Sequence, residues 1–378
     1  MKTYIRGAGM TKFDVDRRPS FERIYECTNE ALESSGLDFE DIDVIFCSNS
    51  ESGRSEERQK HQGPLLSSIF RKDIPILNVR AGCAGGGIAF WNAINHLHAS
   101  AARNILVIAY DNLVSLNTET LTDEILMGGE RIYEQTEGLI FPAQNALVAQ
   151  QYMMKYGATE DDLALVALKN HDNACLNPKA RFYGKKVTLD MIKKSPIVAS
   201  PLRLFDCSVS CNGAAAAIIS REKSDIEVTG YGMVTSNLSA IEREDMTSIE
   251  GTVKAANLAY KMAGLKAEDI DMAELHDAFT PLELVSYEDL GFCKRGEGAK
   301  LIREGHTKLN GELPVNMSGG LKAKGHPISP TGLAQIYELV QQMRKQAGKR
   351  QVDKTDIALA QNIGGVGTMV AVHILKKL

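Results

Sequence analysis

The chain has 378 residues, a formal net charge of -5, 44% hydrophobic residues and 24% charged ones. That mix buries a large core and suits two domains or an internal duplication, and its mild acidity leaves no electrostatic footprint for nucleic acid or an anionic membrane. No apolar run approaches the roughly 20 residues that span a bilayer, and the opening "MKTYIRGAGMTKF" lacks the apolar core of a signal peptide; a soluble, cytoplasmic protein is expected.

The elements alternate along the chain. A helix ending at Gly36 leads to the strand "VIFCS" (44–48). The strand "ILNV" (76–79), the turn "RAGCAGGG" (80–87), a helix over "IAFWNAINHLHASAA" (88–102) and the strand "NILVIAY" (104–110) follow. Residues 113–205 then read as an inserted subdomain with helices over 143–157 and 160–174. The core resumes with the strand "GAAAAII" (213–219). A helix to Gly264, the strand "MAELHD" (272–277), the segment "LPVNMSGG" (313–320), a helix over 331–347 and the strand "DIALAQN" (356–362) complete the chain.

This order contains a repeat. Gly36-Leu37 and Glu40-Asp41-Ile42-Asp43 match Gly264-Leu265 and Glu268-Asp269-Ile270-Asp271 at a constant offset, 264 − 36 = 271 − 43 = 228. The same elements follow in the same order, with Asn78 and Asn316 in like places, so the chain reads as two duplicated halves, 1–222 and 223–378. Helices alternating with buried strands define an α/β fold.

Cys83 lies just before a helix N-terminus, where free N–H groups and the helix dipole favour a thiolate. Its glycine neighbours permit a tight turn and close approach of a substrate. A small buried residue in a strand-to-helix turn is the other reading. His276 ends the first strand of the second copy, either in a cleft or as a hydrogen-bonded structural residue. His326, in "GHP", occupies the loop equivalent to the Cys83 turn, and packing of the copies would bring the two loops together. A plain surface loop is its alternative. "QNIGGVGT" (361–368) offers glycine N–H groups to a bound oxygen, or is simply a tight turn. Seven cysteines without a C-x-x-C pair, and histidines without metal spacing, predict free thiols and no metal site.

"GCAGGG", "HDAF", "GHP" and "NIGGVG", in that order, together with "CNGAAAAI" (211–218), resemble the thiolase superfamily over nearly the whole chain. "HDAF" is similar to the sterol-carrier-protein type and the archaeal acetoacetyl-CoA thiolases. The resemblance implies a five-layer αβαβα fold, each half with a mixed sheet, and a homodimer or homotetramer. It implies Cys83 as the acylated nucleophile, His326 as its activator and His276 at the thioester oxygen of the second substrate. It places the N–H of Gly364, with that of Cys83, in an oxyanion hole, and Asn362 beside them. It assigns coenzyme A phosphates to the basic stretch 174–203, with Arg181, Lys185, Lys186 and Arg203 as candidates; a solvated face is the alternative. Coenzyme A and acetyl-CoA would be substrates, with no bound cofactor. An HMG-CoA synthase and a small zinc-ribbon acyl-CoA-binding protein would be partners.

The sequence departs from the family in one respect. Thiolases usually place a second cysteine, the α-proton base, where this chain has Ala278 or Asn362. A Cys-His-His set is shared with decarboxylating condensing enzymes that use a malonyl-type donor. His276, if neutral, and more weakly Cys211 are the candidate bases. The expected activity is acetyl-CoA C-acetyl transfer. A decarboxylating condensation and a non-catalytic acyl-CoA-binding scaffold are the alternatives.

Overall fold

The computed structural model describes residues 2–50, 59–114 and 117–378, so residues 115 and 116 of the expected insert lie outside it. The first half supplies β1 (Thr3–Met10), α1 (Ser20–Ser35), β2 (Val44–Ser48), α2 (Gln62–Phe70), β3 (Ile76–Asn78), α3 (Gly85–Ala99) and β4 (Asn104–Asn112). The insert follows with α4 (Thr118–Leu126), α5 (Phe141–Tyr156), α6 (Glu160–Cys175), α7 (Leu189–Lys193) and the hairpin β5 (Ile197–Ala199) and β6 (Leu202–Arg203). After β7 (Asn212–Ser220), the second half runs through β8 (Ile226–Thr235), α8 (Glu250–Ala263), β9 (Met272–Glu274), α9 (Thr280–Asp289) and α10 (Gly298–Glu304). It ends with α11 (Thr331–Met343), β10 (Ile357–Gly364) and β11 (Met369–Lys377).

The strands are ordered β3-β2-β4-β7-β1-β8-β11-β10-β9. The first five and the last four repeat one pattern, the counterpart of β3 being reduced to a bridge between Ala273 and Val315. Thr3, Tyr4 and Ile5 pair with Val228, Glu227 and Ile226, which fuses the two mixed half-sheets into one. The duplication is visible atom by atom. Gly36 and Gly264 both end their helices in the left-handed region, at φ 68° and 66°. The Asp43 carboxylate accepts the N–H groups of Arg103 and Asn104, and that of Asp271 accepts those of Asp356 and Ile357.

Strand alternation sorts the layers. Ala215, Ala217 and Ile219 of β7 point to a central core with Phe90 and Ile94 of α3 and Leu333 and Ile336 of α11. Ala214, Ala216 and Ile218 point outward to Ile24, Cys27 and Ala31 of α1. In the second half, Val370, Val372 and Ile374 of β11 pack on Ala255 and Ala259 of α8. The layers are therefore α1, half-sheet, α3 with α11, half-sheet, α8. The expected helix over 331–347 stops at Met343, because the chain turns through Lys345 at φ 59°.

The central pair sits too close for side chains. A Cβ at Gly86 would fall 2.6 Å from the Ser329 carbonyl oxygen, and one at Gly332 would fall 2.3 Å from the Gly87 nitrogen. Gly86 and Gly87 of "GCAGGG" thus serve helix contact, while Gly82, at φ 49°, serves the turn. Gly332→Ala should cost about 1–3 kcal/mol through overpacking. The urea midpoint of unfolding will read this; an unchanged midpoint would refute the contact.

Candidate active site

Cys83 sits in a single helical turn, Gly82–Ala84, directly ahead of α3. Asn362, near the end of β10, joins both halves around it. Its Oδ1 accepts the Gly87 N–H at 3.1 Å, which fixes the amide's orientation. Its Nδ2 then donates to the Cys83 carbonyl oxygen at 3.0 Å and faces His276 Nδ1 at 3.2 Å. His276 lies two residues beyond β9, and its ring stands edge-to-face on that of His326, with centroids 5.4 Å apart. His326 Nδ1 contacts the Thr331 hydroxyl at 2.8 Å, at the first turn of α11. The structure therefore gathers Cys83, His276, His326 and Asn362 at the meeting of the halves.

Gly364 ends β10 against Ala81 and Ala84 of the cysteine turn. The N–H of the next residue, Gly365, and that of Cys83 itself act on the Cys83 sulfur. Thr331 and Asp277 were passed over as positioning groups. Asp277 accepts the Leu321 N–H at 2.7 Å and the Asn170 amide at 2.8 Å, pinning the turn Gly320–Lys324 that leads to His326. One adjacent pair, His276-Asp277, thus supplies a site group and anchors the loop bearing the other histidine.

All three reactive side chains are neutral at rest. Burial, followed by the charge of Asp111, pushes the Cys83 thiol up to about 12, against the Gly365 N–H and its own. This overturns the expected thiolate: removal from water outweighs the helix terminus. Burial and Lys324 push His326 down to about 3, and burial with His326 holds His276 well below the usual range. Asn362 donates to Nδ1 of a neutral His276, so the proton of that ring lies on Nε2. His276 is therefore a hydrogen-bond donor through Nε2. Cys211 is fully buried under Gly325, and burial pushes its thiol far up.

Asp111 ends the strand that leads into the insert. It accepts the Ser329 N–H, from the His326 loop, and the N–H and hydroxyl of Ser50. Despite these bonds, burial pushes its carboxyl up to about 7.

The basic stretch is mostly committed elsewhere. Arg203 bonds the Ser195 carbonyl oxygen at 3.1 Å and pairs with Glu160 at 3.4 Å, so it also ties the insert together. Arg181 bonds the Lys324 carbonyl oxygen through its main chain. Lys185 and Lys186 are exposed, the former 5.5 Å above the Phe182 ring. Among the described residues no cluster fits a metal ion.

Residues 4–222 match the family described as "Thiolase, N-terminal domain", and residues 232–377 match "Thiolase C-terminal domain-like". The chain belongs to the thiolase family and is an acyltransferase of that kind. It is 37% identical to an acetyl-CoA acetyltransferase of Methanothermobacter thermautotrophicus over 98% of both chains. It is 31% identical to human sterol carrier protein 2 over 99% of this chain and 72% of that one. An Ltp2-ChsH2(DUF35) aldolase superposes with a TM-score of 0.84 at 25% identity, covering 100% of this chain and 98% of that one. Human mitochondrial 3-ketoacyl-CoA thiolase, at 0.76 and 18% identity, covers 100% and 98% and shares the fold.

A thiol held near 12 reacts in proportion to its small thiolate fraction. Alkylation of Cys83 by iodoacetamide should rise about tenfold per pH unit from pH 7 to 9, without a plateau. Asp111→Asn removes the repelling charge and should speed alkylation at fixed pH. A plateau near neutrality in the unsubstituted protein would overturn the protonated thiol.

Proposed function

We propose that the protein is an acetyl-CoA C-acetyltransferase that condenses two acetyl-CoA to acetoacetyl-CoA, or cleaves the product with free coenzyme A, through an acyl-enzyme on Cys83. The reading is carried by one observation: the chain from Cys83 through Asn362 to His276 and His326, built from both halves.

With Nδ1 at the Thr331 hydroxyl, His326 turns Nε2 to the site as a neutral base. It takes the Cys83 proton as sulfur bonds to the thioester carbon, and returns it to the departing coenzyme A thiolate. Free again, His326 takes the α-proton of the second acetyl-CoA. The enolate oxygen meets Nε2–H of His276, a preorganised donor. The enolate carbon bonds to the acyl carbon while the oxyanion faces the N–H groups of Cys83 and the Gly364-Gly365 turn. Sulfur leaves and recovers its proton from His326. This route needs neither a second cysteine nor a cofactor, because coenzyme A is the substrate.

We place the protein in the cytoplasm as a homodimer or homotetramer. Condensation is uphill, so an HMG-CoA synthase that consumes the product suits it. A small zinc-ribbon acyl-CoA-binding protein would be a second partner. Arg181, Lys185, Lys186 and Arg203 are the phosphate candidates, of which Lys185 and Lys186 are exposed.

Ala278 and Asn362, where a second cysteine would stand, favour the decarboxylating reading. Intact mass after acetyl-CoA should show one acetyl group, lost in Cys83→Ser. Cleavage of acetoacetyl-CoA by coenzyme A supports the thiolase; carbon dioxide from malonyl-CoA without thiolysis would replace it by the decarboxylating enzyme. An unmodified protein would leave only the scaffold.

His276→Ala should keep acylation and lose at least about 100-fold in condensation, the scale of one oxyanion donor. Equal loss in both steps would remove that assignment.

A further inference from the structure

The loop between His326 and α11 holds a backbone anomaly. Ile328 lies at φ 70°, in the left-handed region that β-branched residues rarely enter. A conformation of that kind persists only where its surroundings dictate it, and such residues gather at functional sites. Ile328 and Ser329 are both buried, so those surroundings are protein.

Ser329 does the fixing. Its carbonyl oxygen accepts the Gly86 N–H at 3.0 Å. Its hydroxyl, which also acts on Asp111, lies 3.3 Å from the Gly82 carbonyl oxygen. One residue of the His326 loop thus touches the cysteine turn on both sides of Cys83. Its N–H donates to Oδ2 of Asp111 at 2.8 Å. Oδ1 of Asp111 accepts the Ser50 N–H at 2.8 Å and the Ser50 hydroxyl at 2.7 Å. The carboxylate therefore joins the chain beyond β2, the end of β4 and the His326 loop. The loop is closed from within as well. The Thr331 N–H reaches the Ile328 carbonyl oxygen at 3.3 Å, and the Thr331 hydroxyl meets His326 Nδ1 at 2.8 Å. Relaxation of Ile328 to a negative φ would redirect the chain between the histidine and the residue that grips the cysteine turn.

Charge is not what Asp111 contributes. Its negative charge works against ionisation of Cys83, and burial penalises the carboxylate itself. What it offers despite both costs is geometry: two oxygens accepting on opposite sides, which a neutral amide cannot supply.

We propose that Asp111 is a positioning residue for the acyl transfer: through Ser329 it holds the strained Ile328 turn, and with it the spacing of His326 from Cys83. The proposal rests on the reading of Cys83 and His326 as nucleophile and base.

Asp111→Asn separates position from charge. The amide oxygen keeps the two Ser50 bonds and turns its NH2 toward the Ser329 N–H, donor against donor. At pH 8, where Asp111 is mostly ionised, iodoacetamide alkylation of Cys83 should hold or rise, because the opposing charge is gone. Mass-detected acetylation by acetyl-CoA should fall about tenfold or more. Acetylation that keeps pace with alkylation overturns the proposal: both rising makes Asp111 a charge only, both falling a structural group. Hydrogen exchange over residues 327–331 should quicken about tenfold or more in Asp111→Asn, and unchanged exchange would mean that the carboxylate does not hold the turn. Ile328→Gly and Ile328→Ala isolate the strain, since glycine alone accepts this φ freely. Ile328→Gly should exceed Ile328→Ala in unfolding midpoint and in acetylation rate, against their usual order in stability. Equal values, or the usual order, would overturn the strained turn. Should unsubstituted Cys83 take up no acetyl group, the acyl-transfer reading fails, while exchange and the two midpoints still judge the turn.

Discussion

The rest of the molecule depends on the backbone contact between the two central helices. Gly86 meets the Ser329 carbonyl and Gly332 meets Gly87 with no room for a Cβ. That contact sets the distance between the halves and aligns the turn before α3 with the loop before α11. The Asn362 side chain lies beside this contact and bonds the Gly87 N–H and the Cys83 carbonyl oxygen on the α3 side. A methyl group in this seam would push apart the elements that carry the chemistry, so the site is as much a product of helix packing as of its own residues.

Neutrality is the second organising fact. A half-buried thiol and two buried imidazoles hold no net charge, which avoids the cost of unpaired ions. Charge appears only as proton transfer accompanies bond formation, in front of N–H groups already aimed at it. The price is a poor resting nucleophile, and it is consistent with a site in which substrate entry, rather than a standing thiolate, starts the reaction. The amide of Asn362 settles which ring nitrogen of His276 bears the proton. It therefore does work at a position where a thiol would usually stand.

Much of this was legible in the residues. Element order, the duplication and the convergence of Cys83 with His326 followed from periodicity and a constant offset, because strand and helix patterns depend on local burial. "VIFCS" and β2 coincide, and the two helices read in the insert fall at α5 and α6. Matters that depend on tertiary surroundings were not legible. The helix terminus at Cys83 favours a thiolate, yet desolvation prevails. Two of the glycines beside it, Gly86 and Gly87, belong to a helix seam. The contacts of Arg203 with Glu160 and Ser195 likewise depend on surroundings that its local sequence does not show.

The protonated thiol has a further consequence, in redox chemistry. Peroxides and disulfides attack thiolates, so susceptibility to oxidation follows thiolate character and exposure. A cysteine pushed up to about 12 presents little thiolate to them. The same upward push that leaves Cys83 slow to alkylate lowers its susceptibility to sulfenic acid and mixed disulfides, at the position where the proposed reaction needs a free thiol.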